Sequence, residues 1–192
     1  MKIVLDVSVY QSVAQLDHLL KNAPDEIVGV IIKATQGLSY SDSLADAFAA
    51  VCESHNTAYG YYDFLTNDQV NVEEAYFKDF VSRLKHNKPQ IKPTCDMEGA
   101  YNKFAAGEQH WEDAYGGSCI GYGPLSTMPK YASMNNPKWV AQYDSMSYYR
   151  PQQSEIDAYA KQGYAMWQFT DSYLGLSQDA SVLLTDFSVL RA

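Results

Sequence analysis

The chain has 192 residues, 46% of them hydrophobic with 16 tyrosines, a net charge of −9 and an isoelectric point near 4.7. That length and composition fit one globular domain with a sizeable core and exclude a disordered chain. The acidity argues against nucleic acid or an anionic membrane as partner, and no apolar run approaches the length of a membrane span.

The chain opens directly on a strand, Ile3 to Val7, with no secretory signal ahead of it, so it is expected to be made in the cytoplasm. Val13, Leu16, Leu19 and Leu20 then share one helix face. A second apolar run, Ile27 to Ala34, precedes a helix carrying Leu44, Ala47, Phe48 and Val51 at i, i+3, i+4, i+7, with Ser41 or Asp42 as its cap. The run Ala58 to Leu65 leads to a third helix with Phe77, Phe80, Val81 and Leu84. Runs at Ile91 to Met97, Ser118 to Tyr122, Trp139 to Tyr143, Tyr164 to Phe169 and Val182 to Phe187 complete a set of about eight strands.

Alternating strands and helices predict an α/β fold with a parallel sheet and right-handed crossovers. Eight strands predict a TIM-like barrel, yet a complete eightfold β/α barrel takes about 250 residues. Several helices must therefore be missing or reduced to loops. The Gly- and Asn-rich connections of the second half, such as Gly116-Gly117 and Asn135-Asn136-Pro137, are the expected places. An open doubly wound sheet is the alternative. Against it, Asp6-Val7-Ser8-Val9-Tyr10-Gln11 follows the first strand where that fold carries a Gly-rich phosphate loop. One compact domain over residues 1–192 is expected. Of the three cysteines, Cys95 and Cys119 fall in strand-like runs and read as reduced core residues, and Cys52 leaves the count odd.

The most informative chemistry lies in Pro93-Thr94-Cys95-Asp96-Met97-Glu98-Gly99. In an extended strand alternate residues share a face, so Asp96 and Glu98 point the same way with their backbones about 6–7 Å apart. Two adjacent acids raise at least one pKa, and Gly99 opens a turn. Asp-x-Glu alone is common by chance, so the remaining strand ends decide. In a parallel barrel the active site collects at the carboxyl ends of the strands. Those ends carry Asp6, then Lys33 and Thr35, then Tyr62, Asp63 and Phe64, then Asp96 and Glu98. Tyr122, then Gln142, Tyr143 and Asp144, then Trp167 and Gln168 follow, with Asp186 in the last run. Acids ringed by Tyr and Trp describe a sugar-binding cleft.

Blander readings exist for each signal. Asp6 and Asp186 could cap turns, Trp167 could be core as readily as a platform, and Lys33 could pair with a barrel acid. A metal site is the other sharp reading of clustered carboxylates. His18, His55, His86 and His110 fall in no ligand spacing and Lys33 is near, so no metal and no cofactor are expected.

The ordered set Asp6-Val7-Ser8 with Tyr10-Gln11, Ile31-Ile32-Lys33-Ala34-Thr35, Gly60-Tyr61-Tyr62-Asp63-Phe64, Asp96-Met97-Glu98, Trp139-Val140-Ala141-Gln142-Tyr143, Trp167-Gln168-Phe169-Thr170 and Asp186 resembles glycoside hydrolase family 25, the lysozymes (N-acetylmuramidases) of phage endolysins and bacterial autolysins. The resemblance spans nearly the whole chain. It implies an irregular barrel of eight strands and about five helices. It also implies hydrolysis of the β-1,4 bond between N-acetylmuramic acid and N-acetylglucosamine in peptidoglycan. By position, Glu98 matches the general acid and Asp96 the second carboxylate, whose part depends on carboxyl separation in space. Asp6 and Asp186 match flanking acids, and Lys33, Tyr62, Tyr143 and Trp167 match groove positions. Gln36 and Asp63 depart from the pattern, standing where many members carry an acid and a histidine. A monomer acting on wall glycan strands is implied, released through a membrane pore or carried in a larger secreted protein. A non-catalytic wall-binding or virion module of the same fold, or a hydrolase of another polysaccharide such as chitin, are the alternatives.

Overall fold

The computed structural model describes residues 1–66, 69–99, 107–128, 136–143 and 150–192. The barrel begins with β1 (Lys2–Val7) and β2 (Glu26–Gln36), and a two-residue strand β3 (Tyr40–Ser41) hairpins onto the end of β2. β4 (Ala58–Phe64), β5 (Thr94–Asp96), β6 (Ile120–Pro124), β7 (Lys138–Ala141) and β8 (Met166–Thr170) continue around it in parallel. β9 (Asp179–Leu183) closes the ring by pairing antiparallel with both β8 and β1. With β3 appended to β2, eight strands form the closed wall.

Three helices lie where the apolar spacing predicts them: α1 (Val13–Asn22), α2 (Ala45–Ser54) and α3 (Val70–Arg83). Ser12 caps α1 by accepting from the Gln15 N–H, and Leu16 and Leu19 form its buried face. Asp42 does not cap α2 directly. Its carboxylate accepts from Leu44 N at 2.9 Å and Val9 N at 2.7 Å, tying the loop after β1 to the start of α2. Two more helices, α4 (Gly107–Tyr115) and α5 (Gln153–Lys161), occupy stretches where the apolar spacing marks no helix. In α5 no residue is fully buried; Ile156 and Tyr159 only lean on the core, which leaves little apolar periodicity to see. Its first turn is held by Glu155, which accepts from Gln152 N at 2.8 Å. No helix among the described residues is long and apolar enough to cross a membrane.

Side chains alternate across the wall as a pleated strand requires. Val4, Ile31, Ile120, Trp139, Met166 and Leu183 face inward, while Leu5, Ile32, Tyr61, Cys95, Val140 and Val182 pack under the helices. Ile91 plugs the floor of the barrel. A Cβ on Gly60 would lie 2.9 Å from the Ile91 Cβ and carbonyl oxygen, so that stretch of β4 has to be bare for the plug to seat. Cys52, Cys95 and Cys119 are all buried, and none forms a disulfide.

Asp63, at a strand end, points outward into the helix layer rather than into the barrel. Thr35 Oγ1 donates to it at 2.7 Å and Trp111 Nε1 at 3.2 Å. Burial, with added repulsion from Glu73 and Glu74, pushes its pKa to about 7 against an ordinary 3.8. Below pH 4 the carboxyl is protonated in both folded and unfolded chains and costs nothing. Between about pH 4 and 7 only the unfolded chain releases its proton, so stability falls by on the order of 4 kcal/mol and then levels off. Asp63→Asn can still accept from Trp111 Nε1 through its amide oxygen and donate from its amide nitrogen to the Thr35 hydroxyl, without this penalty. Thermal melts followed by circular dichroism are expected to show Asp63→Asn melting higher than the parent at pH 8, with the gap closing at pH 4.

Candidate active site

A cavity of about 350 Å³ opens at the carboxyl ends of the parallel strands, within the size range of small-ligand sites. Asp6 enters it from β1, Lys33 from β2, Tyr62 and Phe64 from β4, and Asp96 from β5, with Glu98 just beyond. Tyr122 on β6, Trp139 on β7, Gln168 on β8 and Asp179 on β9 complete the ring, and Tyr143 stands on its rim.

Asp96 is the last residue of β5, Met97 turns outward into the helix-side core, and Glu98 returns to the cavity. The strand's alternation thus continues two residues past its end. Three hydrogen bonds hold this geometry. Leu65 N donates to Asp96 O at 2.9 Å and Met97 N to Tyr122 O at 3.0 Å. Glu98 N then donates to Asp96 Oδ1 at 3.1 Å, so the Asp96 carboxylate braces the turn that carries Glu98. Gly99 follows under tight constraint: a Cβ there would meet Leu65 O at 2.5 Å.

The acids occupy different depths. Asp96 and Asp6 are buried, whereas Glu98 is exposed at the cavity mouth. Burial pushes Asp96 well above the ordinary carboxylate range, and the Glu98 charge adds to this, while the Glu98 N–H and Lys33 oppose it. Burial raises Asp6 likewise, with Asp179 next in effect and the Gln168 hydrogen bond opposing. Asp179 rises to about 6, through burial and then the charges of Asp171 and Glu98. Glu98 is raised by the protein packed around it, against Lys33 and the Tyr122 hydroxyl. Neighbouring acids of this kind titrate as a set, so the cavity keeps protons at a pH where free carboxyls have lost theirs.

Lys33 supplies a positive charge in this ring. It donates to Gln36 Oε1 at 2.7 Å and lies 4.8 Å from the centre of the Phe64 ring. Burial lowers its pKa, and the charge that most opposes this is Asp96.

The profile of the glycosyl hydrolases family 25 matches residues 5–175 of this chain. The chain belongs to glycosyl hydrolases family 25. It is a glycoside hydrolase with the family's barrel. Solved structures share the fold at low identity. A family 25 lysozyme from Aspergillus fumigatus is 15% identical, with 99% of each chain covered and a TM-score of 0.71. The catalytic domain of the endolysin ply40, from a bacteriophage of Listeria monocytogenes, is 17% identical over 99% of this chain and 95% of that one, at a TM-score of 0.71. A family 25 glycosyl hydrolase from Bacillus anthracis is 18% identical over 98% and 91%, at 0.69. Comparison with curated proteins finds no matching sequence.

The structure brings six of the eight residues singled out from the sequence to the cavity: Asp6, Lys33, Tyr62, Asp96, Glu98 and Tyr143. Two lie elsewhere. Asp186 caps the short 3-10 turn Phe187–Leu190, accepting from Ser188 N at 2.8 Å. It follows β9, and because β9 is inverted, that end of the strand lies at the opposite mouth of the barrel. Asp179, at the start of β9 and paired with Asp6, takes the place expected of Asp186. Only eight residues (171–178) separate β8 from β9, too few for a parallel crossover, whereas the apolar runs in the sequence place the last strand later, from Val182. Trp167 points outward between two inward residues, Met166 and Gln168; it stacks on Tyr159 of α5 and donates to Gln142 O at 2.8 Å. Trp139 is the tryptophan that lines the cavity, anchored by donation to Ser181 Oγ at 2.9 Å and packed against Tyr122. Asp144 lies outside the described residues.

Asp179→Asn is expected to lower hydrolysis of wall suspensions by about 10²-fold or more, while Asp186→Asn stays near the parental rate. Turbidity clearing by both purified variants checks this, and equal rates would return Asp186 to contention.

Proposed function

We propose that the chain cleaves the β-1,4 bond between N-acetylmuramic acid and N-acetylglucosamine in peptidoglycan, with Glu98 as the general acid. The observation that carries this reading is the exposed Glu98 carboxyl, braced over the buried Asp96 by its own N–H at the mouth of an aromatic-walled cavity. Family membership supports it, as do the lysozyme and endolysin that share the fold.

The chemistry follows from the depths of the groups. An acid that must touch the glycosidic oxygen has to be reachable, and Glu98 is. Its surroundings favour the protonated form, which is the form that can give the leaving oxygen a proton. As the bond breaks, positive charge develops at the anomeric carbon, and Asp96 is the second carboxylate facing it. Asp6 and Asp179 extend the same lining of carboxyl groups. The net reaction adds one water across the bond. Tyr62, Trp139 and Tyr143 offer ring faces and hydroxyls to the sugars on either side. The work is done at the cell wall, after release from a lysing cell or as part of a secreted chain.

Glu98→Gln is expected to remain folded and to lose about 10²–10⁴-fold in rate. In the parent protein the rate falls as pH rises through the raised Glu98 pKa, because the deprotonated form has no proton to donate. Mass spectrometry of wall-digest products identifies the bond: reducing-end muramic acid is the expected result. Reducing-end glucosamine, or preferential release from chitin, would assign a different substrate bond.

A further inference from the structure

A second cleft, of about 400 Å³, opens beside the catalytic cavity and shares Tyr10, Lys33 and Gln36 with it. Val9 and Tyr10, in the turn after β1, form one wall, and Leu38 and Tyr40, in the β2–β3 hairpin, form the other. Both walls are anchored. Asp42, just past the hairpin, accepts from Val9 N at 2.7 Å, and Gln11 N donates to Ser8 O at 2.9 Å across the Tyr10 turn. On the other side Gly37 N donates to Phe64 O at 3.0 Å, and the Tyr76 hydroxyl donates to Ser39 O at 3.1 Å. Tyr10 is nonetheless 84% exposed, and Val9, Leu38 and Tyr40 are exposed with it. An apolar rim held open on fixed loops beside a reactive cavity is a surface for ligand contact.

The two cavities differ in charge. The catalytic one is lined by Asp6, Asp96, Glu98 and Asp179, whereas Lys33 is the only charged group lining the second among the described residues. In a chain of net charge −9 that cleft is the exception. The Lys33 ammonium stands at the junction, 4.8 Å from the centre of the Phe64 ring, 5.6 Å from that of Tyr40 and 5.8 Å from that of Tyr62. It forms no ion pair among the described residues. An ammonium has three N–H groups, and one of them goes to Gln36, a neutral partner. A carboxylate on a ligand gains nothing from the acids of the first cavity and finds a cation in the second.

Muramic acid is the sugar of the glycan strand that carries such a group. The lactyl ether on its ring bears a carboxyl, free in bare glycan and amide-linked in intact wall to a stem peptide with carboxylates of its own. N-acetylglucosamine carries none. We infer that the second cleft is a subsite for the carboxylate-bearing branch of a muramic acid unit, with Lys33 as its anion contact and Tyr10, Leu38 and Tyr40 as its walls. The inference rests on the reading of the chain as a muramidase. The branch leaves the sugar ring to one side of the strand, so it needs a cleft beside the one that holds the strand. Gln36 sets the preference. Being neutral, it leaves the ammonium to the ligand, where a carboxylate at the same position would occupy it.

The test measures kcat/KM of the whole protein on soluble glycan strands with stem peptides, and on the same strands after every carboxyl is converted to an amide. Their ratio cancels any general effect of a substitution on folding or catalysis. The parent is expected to favour the charged strands about tenfold at about 0.15 M salt, where the protein's own net charge is screened. Gln36→Glu and Leu38→Glu are each expected to bring the ratio to about one, and the neutral Leu38→Gln to keep it. Leu38 is exposed, so its two variants decide if Gln36→Glu fails to fold. Equal kcat/KM on the two substrates in the parent overturns the inference, as does a ratio that the glutamate variants leave unmoved. Strands stripped of their stems identify the group. A preference that survives stripping assigns the lactyl carboxylate, and one that is lost assigns the stem. Failure of the muramidase reading shows separately, as reducing-end glucosamine in the products of both substrates.

Discussion

The antiparallel pairing of β9 with both β8 and β1 sets the geometry of the cleft. A parallel closing strand would need a crossover of a dozen or more residues and would deliver its last residues to the active face. The inverted strand needs only a tight connection and delivers its first residue instead. That residue, Asp179, is registered directly against Asp6. Residues opposite each other on antiparallel strands lie about 4.5–5.5 Å apart and share a face, so two acids enter the cavity side by side. Neither would choose that position on grounds of charge. The barrel's closure imposes it: burial there raises the pKa of both acids, and the Asp179 charge adds to the rise of Asp6.

The same reasoning explains what surrounds the acids. Four carboxyls in a partly desolvated space need either counter-charge or protons, because buried like charges repel strongly. Lys33 contributes counter-charge, and its neighbours leave that charge available. Gln36 takes a hydrogen bond from Lys33 without neutralising it. A carboxylate at that position would draw the ammonium toward the rim. With glutamine there, Asp96 is the strongest attractive charge that Lys33 feels. Protons do the rest, and Glu98 is the exposed member of the set.

What the sequence reveals and what it hides follow from packing. The first half is legible because its strands are long Ile/Val runs and its helices bury Leu16, Leu19, Phe48 and Phe77 at regular spacing. The second half is not. β5 has three residues and β7 four, and α5 covers the barrel without a fully buried side chain. Strand ends also mislead when only their location is read. Asp63 and Trp167 sit at the right height and on the wrong face, since each is flanked by inward residues, and a one-residue offset reverses a side chain. Asp96 and Glu98 escape this error because their spacing of two guarantees a common face whichever way the strand is turned.

That period of two also separates stability from chemistry along each strand. Val4 and Asp6, Ile31 and Lys33, Ile120 and Tyr122, Met166 and Gln168 are paired on single strands, an apolar residue below and a polar one roughly 6.6 Å above. β9 runs the other way and inverts the order, with Asp179 above, Ser181 between and Leu183 below. The apolar floor, closed by Ile91, excludes water from the lower barrel and supplies packing that offsets the cost of crowding acids above it. Depth in the barrel is therefore the variable that divides the molecule. Changes in the lower layer act through cohesion of the whole wall, and changes in the upper layer act through protons and hydroxyls. Ser181 and Trp139 join the two layers: the serine accepts the indole N–H, so the cavity-lining ring of Trp139 is held by the strand that also carries Asp179.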